Sequence, residues 1–429
     1  MLWMPDRRQL KARLKYRRRI WRRRVARLLL LAGILFLITA ASVPTVGDLK
    51  VQAHNLTAGV QFDFVDWISL ALLEEVERRL WPPATPATLD GQQQLVKKYI
   101  TLQRQINRLE RDINRAYARR GRANAQMEQT LARLKAEQQA LVPQVETIIS
   151  RQVESVLAEE GFGLGGQVTP PVTLRLVEPP TVLIISPRDK IERQHFVGLA
   201  PGLDTASRTE IEDTLHQRGD VAGYVTDVGG VGSYPTMVVG TSSLPWLVDT
   251  TAHEWVHNYL YTFPTAIAWD YGGSARLTTI NETTASLVGE EVARKVINRY
   301  YPDWADELPP LDDSGQPQEA EPSPFQLAMR RIRLHVDELL AAGQVEEAEA
   351  YMEAERQELV AQGYGLRRLN QAYFAFHGSY ALSPGSVDPT GPQLRRLRAA
   401  SGSLREFLDR VGWLNSPADY ETWLATTDE

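Results

Sequence analysis

The sequence predicts an α+β protein that is mostly helical, with a small sheet ahead of the helix that carries its chemistry. Three features predict it. Apolar residues repeat at heptad spacing between Leu95 and Leu141. β-rich runs bounded by Pro and Gly gather between residues 167 and 240. Helical periodicity then returns. At 429 residues the chain has room for two or three domains, and 43% apolar residues with ten tryptophans can supply a core. Cysteine is absent, which excludes disulfides, thiolate metal sites and a cysteine nucleophile, so any metal must be held by His, Asp or Glu.

The N-terminus comes first. Residues 1–27 carry twelve Lys or Arg against one Asp, a net +11; with −5 for the whole chain, the remainder is −16. This basic run leads into an uncharged apolar stretch from Leu28 to Val43. A spanning helix needs about 20 apolar residues, and dense positive charge holds its side in the cytoplasm. The expectation is a basic cytoplasmic segment (1–27) and a transmembrane signal anchor (28–44). The chain would be a single-pass membrane protein, N-terminus inside, its catalytic domain extracytoplasmic. A cleaved signal peptide competes with this, Thr39 and Ala41 loosely matching a cleavage site. The basic run beside an apolar span points to anionic lipid as its partner and not to nucleic acid.

Residues 45–160 read as a helical arm. An amphipathic helix ends at Pro82-Pro83. The apolar positions Leu95, Tyr99, Leu102, Ile106, Leu109, Ile113 and Ala116 then alternate steps of four and three, a heptad seam. It slips phase beyond Gly121 and resumes as Met127, Leu131, Leu134 and Leu141, with polar Gln138 in one seam position. Either a hairpin folds back at the glycine, or one long helix tolerates it. The seam over residues 95–141 is also a candidate surface for a helical partner. Pro143 is expected to break or kink the helix that reaches it.

Residues 161–307 read as a catalytic lobe. "VTLRLV", "TVLIIS" and "TMVVG" are its strands. Ser242 or Ser243 can cap the next helix, which holds "HEWVH". On it His253 and His257 share a face one turn apart, and can aim two imidazoles at one ion. Glu254, about 100° round, can reach a metal-bound water without being a ligand; this is the H-E-x-x-H zinc arrangement, with glutamate as general base. A catalytic zinc keeps three protein ligands and an open position. Glu282, 25 residues past His257, opens a helix that Thr278 or Thr279 can cap, and Gly289 permits close helix approach; Glu290 and Glu291 compete with it as third ligand.

With "HEWVH", the later "NETTAS", "VGEE" and "LNQAYFAFHGSY", the chain resembles the gluzincin zinc metallopeptidases, and more closely a family described as bacterial aminopeptidases, over roughly residues 250–412. The resemblance implies a zincin-like catalytic domain and one zinc ion per chain, held by His253, His257 and Glu282 with Glu254 as base. It also implies a peptide or protein substrate, with aminopeptidase and endopeptidase action both open. The sequence departs from the gluzincin pattern at Ser286, where an Asp would orient a histidine; Glu290, a turn further on, is one substitute. Tyr373, His377 and Tyr380 are candidate donors to the developing oxyanion, and Tyr380 is the one assigned a catalytic role.

A Pro- and acid-rich loop (308–324) separates a C-terminal helical lobe (325–429), whose first helix is expected to start at Ser323-Pro324 and run to about Gln362. "TMVVG" is a candidate to pair with an extended substrate. His54, His195, His216 and His335 have no ligand spacing. The expected function is a membrane-anchored zinc metallopeptidase. The rival is a membrane-tethered helical adaptor with a structural or inactive zinc site.

Overall fold

The computed structural model describes residues 48–427 apart from 121–123, 166, 270–272, 312–316, 319–320 and 384–385. The basic segment and the expected anchor lie outside the described residues. The chain divides into two units, residues 1–56 and 57–429. Of the first, the described part belongs to helix α1 (Leu49–Thr57).

The second unit begins with α2 (Phe64–Leu80), capped by the Asp63 carboxylate. Next come α3 (Leu89–Arg120) and α4 (Ala125–Leu157). Cross-links between these two fall in reverse order: Lys98–Glu137 at 2.7 Å, Lys135–Glu110 at 2.6 Å, and Tyr117 donating to Glu128 at 2.7 Å. The hairpin is therefore the observed alternative. Its seam closes within the chain through Leu102, Ile106 and Leu134. Gln138, the polar gap in the apolar pattern, donates to Gln103 at 2.6 Å, so the gap is matched from the other strand of the hairpin. The break expected at Pro143 does not occur; α4 runs through it, held by Val142, Val145, Ile148 and Ile149, all buried.

After a π-turn (Ala158–Phe162) come β1 (Gly163–Leu164) and β2 (Gln167–Val168), a short antiparallel pair. Then follow β3 (Leu174–Leu176), β4 (Thr181–Pro187), β5 (His195–Leu199), α5 (Thr205–His216), β6 (Val221–Thr226), β7 (Gly230–Val231) and β8 (Thr236–Val238). One sheet has the order β5-β4-β6, all antiparallel. The other has the order β3-β8-β7, with β8 parallel to β3 and antiparallel to β7. The expected strands are β3, β4 and β8, and the α+β, mostly helical class holds.

Helix α6 (Leu244–Leu260) is capped by Ser243. After the short α7 (Ala266–Trp269), α8 (Ala275–Tyr300) starts at a Ser274 cap, a turn before the expected Thr278 or Thr279. α6 and α8 pack side by side at the centre of the main core, which also takes Val96, Tyr99, Ile100 and Ile149 from the hairpin. The single long helix expected from Ser323 is two: α9 (Pro324–Ala341), with a capping box, and α10 (Val345–Ala361), turned at Gly343 in a left-handed conformation (φ 76°). α11 (Gln371–His377) is capped by Asn370, and α12 (Thr390–Ala400), α13 (Leu404–Gly412) and α14 (Pro417–Thr427) close over the main core.

The expectation of a single-pass membrane protein with an extracytoplasmic catalytic domain is corrected: among the described residues no helix is long and apolar enough to cross a membrane. The physical reason lies in their make-up. The hairpin helices carry charges in every turn or two, and α6, the apolar helix of the core, is 17 residues long and holds Asp249, His253, Glu254 and His257.

Candidate metal centre

α6 and α8 run antiparallel, with Asp249 against Gly289, His253 near Ser286 and His257 near Asn281. A Cβ on Gly289 would stand 2.3 Å from Asp249 Oδ1 and 2.9 Å from its carbonyl oxygen, so only glycine allows this crossing. At the crossing three side chains converge. His253 Nε2 and His257 Nε2 are 3.2 Å apart, and Glu282 Oε2 is 3.3 Å from the first and 3.6 Å from the second. Among the described residues these form the group able to hold a metal ion.

The far side of each imidazole fixes its near side. Asn281 Nδ2 donates to the Ile267 carbonyl at 2.7 Å, which leaves its Oδ1 as acceptor for His257 Nδ1–H at 2.8 Å. Ser286 Oγ donates to the Glu282 carbonyl at 2.9 Å and stands 3.4 Å from His253 Nδ1, which it can serve only as acceptor. Both rings are thus tautomers with the proton on Nδ1, and two Nε2 lone pairs face each other beside a carboxylate. Glu282 Oε2 is sealed from solvent and receives no hydrogen bond. Three electron-rich atoms so placed need a cation between them. Ligand atoms about 2.0–2.1 Å from a tetrahedral zinc are about 3.3–3.4 Å from one another, and the three separations bracket that value. The residues present fit zinc. The charge balance agrees: burial would raise the Glu282 carboxyl, but the two imidazoles facing it carry it well below the usual range. Burial would lower His257, but Glu282 holds it up at about 9, so in the absence of a metal ion a proton on the imidazole answers the same demand for positive charge.

Glu254 is buried beside this group, and burial raises its carboxyl despite the two histidines. The backbone of β7 lies over it. A Cβ on Gly230 would come 2.5 Å from Glu254 Oε1, and one on Gly232 would come 2.8 Å from His257 Cβ. The glycines of "DVGGVG" therefore let an edge strand and the residue after it cover Glu254 and His257, a role the sequence reading did not give them. β8 is the middle strand of its sheet, with both edges already paired, so "TMVVG" cannot receive a substrate strand; β3 and β7 are the edge strands.

His253, His257, Glu282 and Glu254 line one cavity of about 690 Å³, with Tyr380 also in its wall. The Tyr380 ring is 6.4 Å from that of His253, and burial keeps its hydroxyl protonated. The other two candidates on that segment lie elsewhere: Tyr373 packs edge-on against Tyr224 in a second core, and His377 lines a different cavity. Glu290 does not orient a histidine; it pairs with Arg395 at 3.1 Å, and Ser286 itself takes the position beside His253. Glu291 faces Arg398 and Lys295, away from the site. Two further residues of the cavity were not legible in the sequence. Arg193, from the β4–β5 turn, is buried with Nη2 donating to Thr278 at 3.2 Å, and burial lowers its pKa while Glu282 raises it. Asp249 is raised to about 7, chiefly by burial.

No family model, no curated protein and no solved structure matches this chain.

Proposed function

We propose that the chain is a zinc-dependent metallopeptidase of the H-E-x-x-H gluzincin type, with His253, His257 and Glu282 holding one zinc ion in a zincin-like catalytic lobe. The observation that carries this reading is the triangle of ligand atoms, 3.2–3.6 Å on its sides, with a buried carboxylate oxygen that no protein donor serves and a second buried carboxylate, Glu254, directly beside it. A site that only held structure would have no use for that second carboxylate.

Zinc supplies a Lewis acid that polarises a carbonyl and makes water more acidic. The rest falls to the protein. Glu254, with its basicity raised by burial, takes a proton from the attacking water as the C–O bond forms. It then gives that proton to the peptide nitrogen as the C–N bond breaks, so the products are a carboxylate and an amine. Tyr380, kept protonated, donates to the oxygen on which negative charge develops. The edge strand β7, lying over Glu254, offers backbone groups to an extended peptide.

The test is the full chain assayed on peptides with and without a chelator, beside Glu254→Gln. Chelator-sensitive hydrolysis lost in Glu254→Gln, with zinc retained, supports the reading. Zinc bound stoichiometrically with no hydrolysis of any peptide by the wild type would leave a structural zinc site in a helical adaptor.

A further inference from the structure

One face of α6 floors the cavity, presenting Trp246, Asp249, His253, Glu254 and His257, with Tyr261 just past the helix end. Each acidic group around the cavity but one has a function or a partner already. Asp227 on the opposite side is gripped by Arg208 at 3.0 and 2.7 Å. Glu282 faces the two imidazoles, and Glu254 lies under Gly230. Asp249 is different. Its Oδ1 is shut away from solvent against Gly289 and accepts no hydrogen bond, and among the described residues no cation pairs with its carboxylate. A carboxylate withdrawn from water without a partner is costly, and chains keep such a group where something else supplies the compensating charge.

The cavity is also polarised along α8. Arg193 sits at Thr278, Asp249 at Gly289, and Glu282 lies between. Eleven residues of helix separate the ends, about 16 Å. A cationic group entering this cavity is repelled at the first end and attracted at the second. We propose that Asp249 is a subsite for an ammonium group of the substrate, beside the metal centre; calling the ligand a peptide rests on the peptidase reading above. Asp249 is one turn from His253, a rise of about 6 Å. An ammonium at that remove comes from the N-terminal amine of a short peptide or from a lysine side chain near the scissile bond. The chemistry of recognition is the same.

The experiment uses the full chain freed of metal, so that binding is read without hydrolysis. Three probes are titrated calorimetrically: Leu-Leu amide, its N-acetyl form, and N-acetyl-Lys-Leu amide. At least one ammonium-bearing probe should bind about 10- to 100-fold more tightly than the neutral acetyl-Leu-Leu amide, as for a hydrogen bond between charged groups. Asp249→Asn should remove that advantage while still taking up zinc. The probe that gains identifies the source, N-terminal amine or lysine. Equal binding of all three to the wild type overturns the subsite whether or not the variant folds, and so does an unchanged advantage in a folded Asp249→Asn. Failure of the peptidase reading looks different: the ammonium preference would persist, yet the zinc-loaded chain would hydrolyse none of the three.

Discussion

Helices α3 and α4 meet through Leu102, Ile106 and Leu134, with Gln138 donating to Gln103 within the seam and the pairs Lys98–Glu137, Lys135–Glu110 and Tyr117–Glu128 at its half-exposed rim. Helices α6 and α8 are also an antiparallel pair, yet alongside their apolar residues they bury Thr251, Glu254, Thr278, Asn281, Glu282, Thr283 and Thr284. The first contact gains free energy from each residue it removes from water. The second must find a partner for each polar atom, and where it finds none, at Asp249 Oδ1, Glu282 Oε2 and Thr284 Oγ1, it holds the cost in place. One hairpin is built to be stable; the other uses the stability of its surroundings to hold side chains that would prefer water.

Substitutions that touch the two pairs should therefore separate binding from folding. The largest effect is expected at Glu282→Ala, which should abolish zinc binding and peptide hydrolysis together; zinc-to-protein ratios by elemental mass spectrometry check it, and a variant that kept full occupancy would sink the ligand assignment. Glu254→Gln should retain zinc but lose about 10²- to 10⁴-fold in kcat, the usual contribution of a general base. Steady-state kinetics on zinc-loaded protein measure this. Asn281→Ala should weaken zinc affinity by about 10- to 100-fold, because it frees the His257 ring to turn. Ser286→Ala should do less, its contact with His253 being longer, 3.4 against 2.8 Å. Competition with a chelator of known affinity ranks the two, and the reverse order would show that the two supports are wrongly weighted. Ile106→Ala in the hairpin should leave zinc affinity unchanged while lowering stability by about 2–5 kcal/mol, as read from chemical denaturation. A loss of zinc there would erase the contrast between the pairs.

The two pairs were unequally visible in the sequence. The hairpin showed itself through the 3-4 apolar alternation, and even its flaw at Gln138 marked a real feature. At the site, the local part was legible: His253, Glu254 and His257 lie within five residues, and helix geometry alone aligns them. Glu282 was reached through its place at the start of a helix of small residues. What failed was whatever depends on contacts distant in sequence. Ser286 was read as a missing carboxylate, yet it stands by His253 because its own proton is committed to a carbonyl, a fact of hydrogen-bond direction and not of residue type. Glu290, nominated in its stead, is turned to Arg395 by a helix 105 residues away. Arg193 and Asp249 carry no motif. The glycines over Glu254 carried no reading in the sequence, since a glycine's meaning lies in what a side chain would strike. As a helix breaker Pro143 misled in the opposite sense: the helix runs through it, and burial on both sides outweighed one lost hydrogen bond.

The floor of the cavity is a single uninterrupted helix face from Trp246 to His257, and this constrains how the protein can change over time. Each residue advances the helix by about 100° and 1.5 Å. Inserting or deleting one residue between Asp249 and His257 would therefore swing everything on one side of the change off the cavity while the other side stayed in place. Substitutions can retune such a site one position at a time, but a change of length within this stretch breaks its phase at once. The segment should drift in composition while its spacing stays fixed, and variation in length should be displaced to the loops at either end.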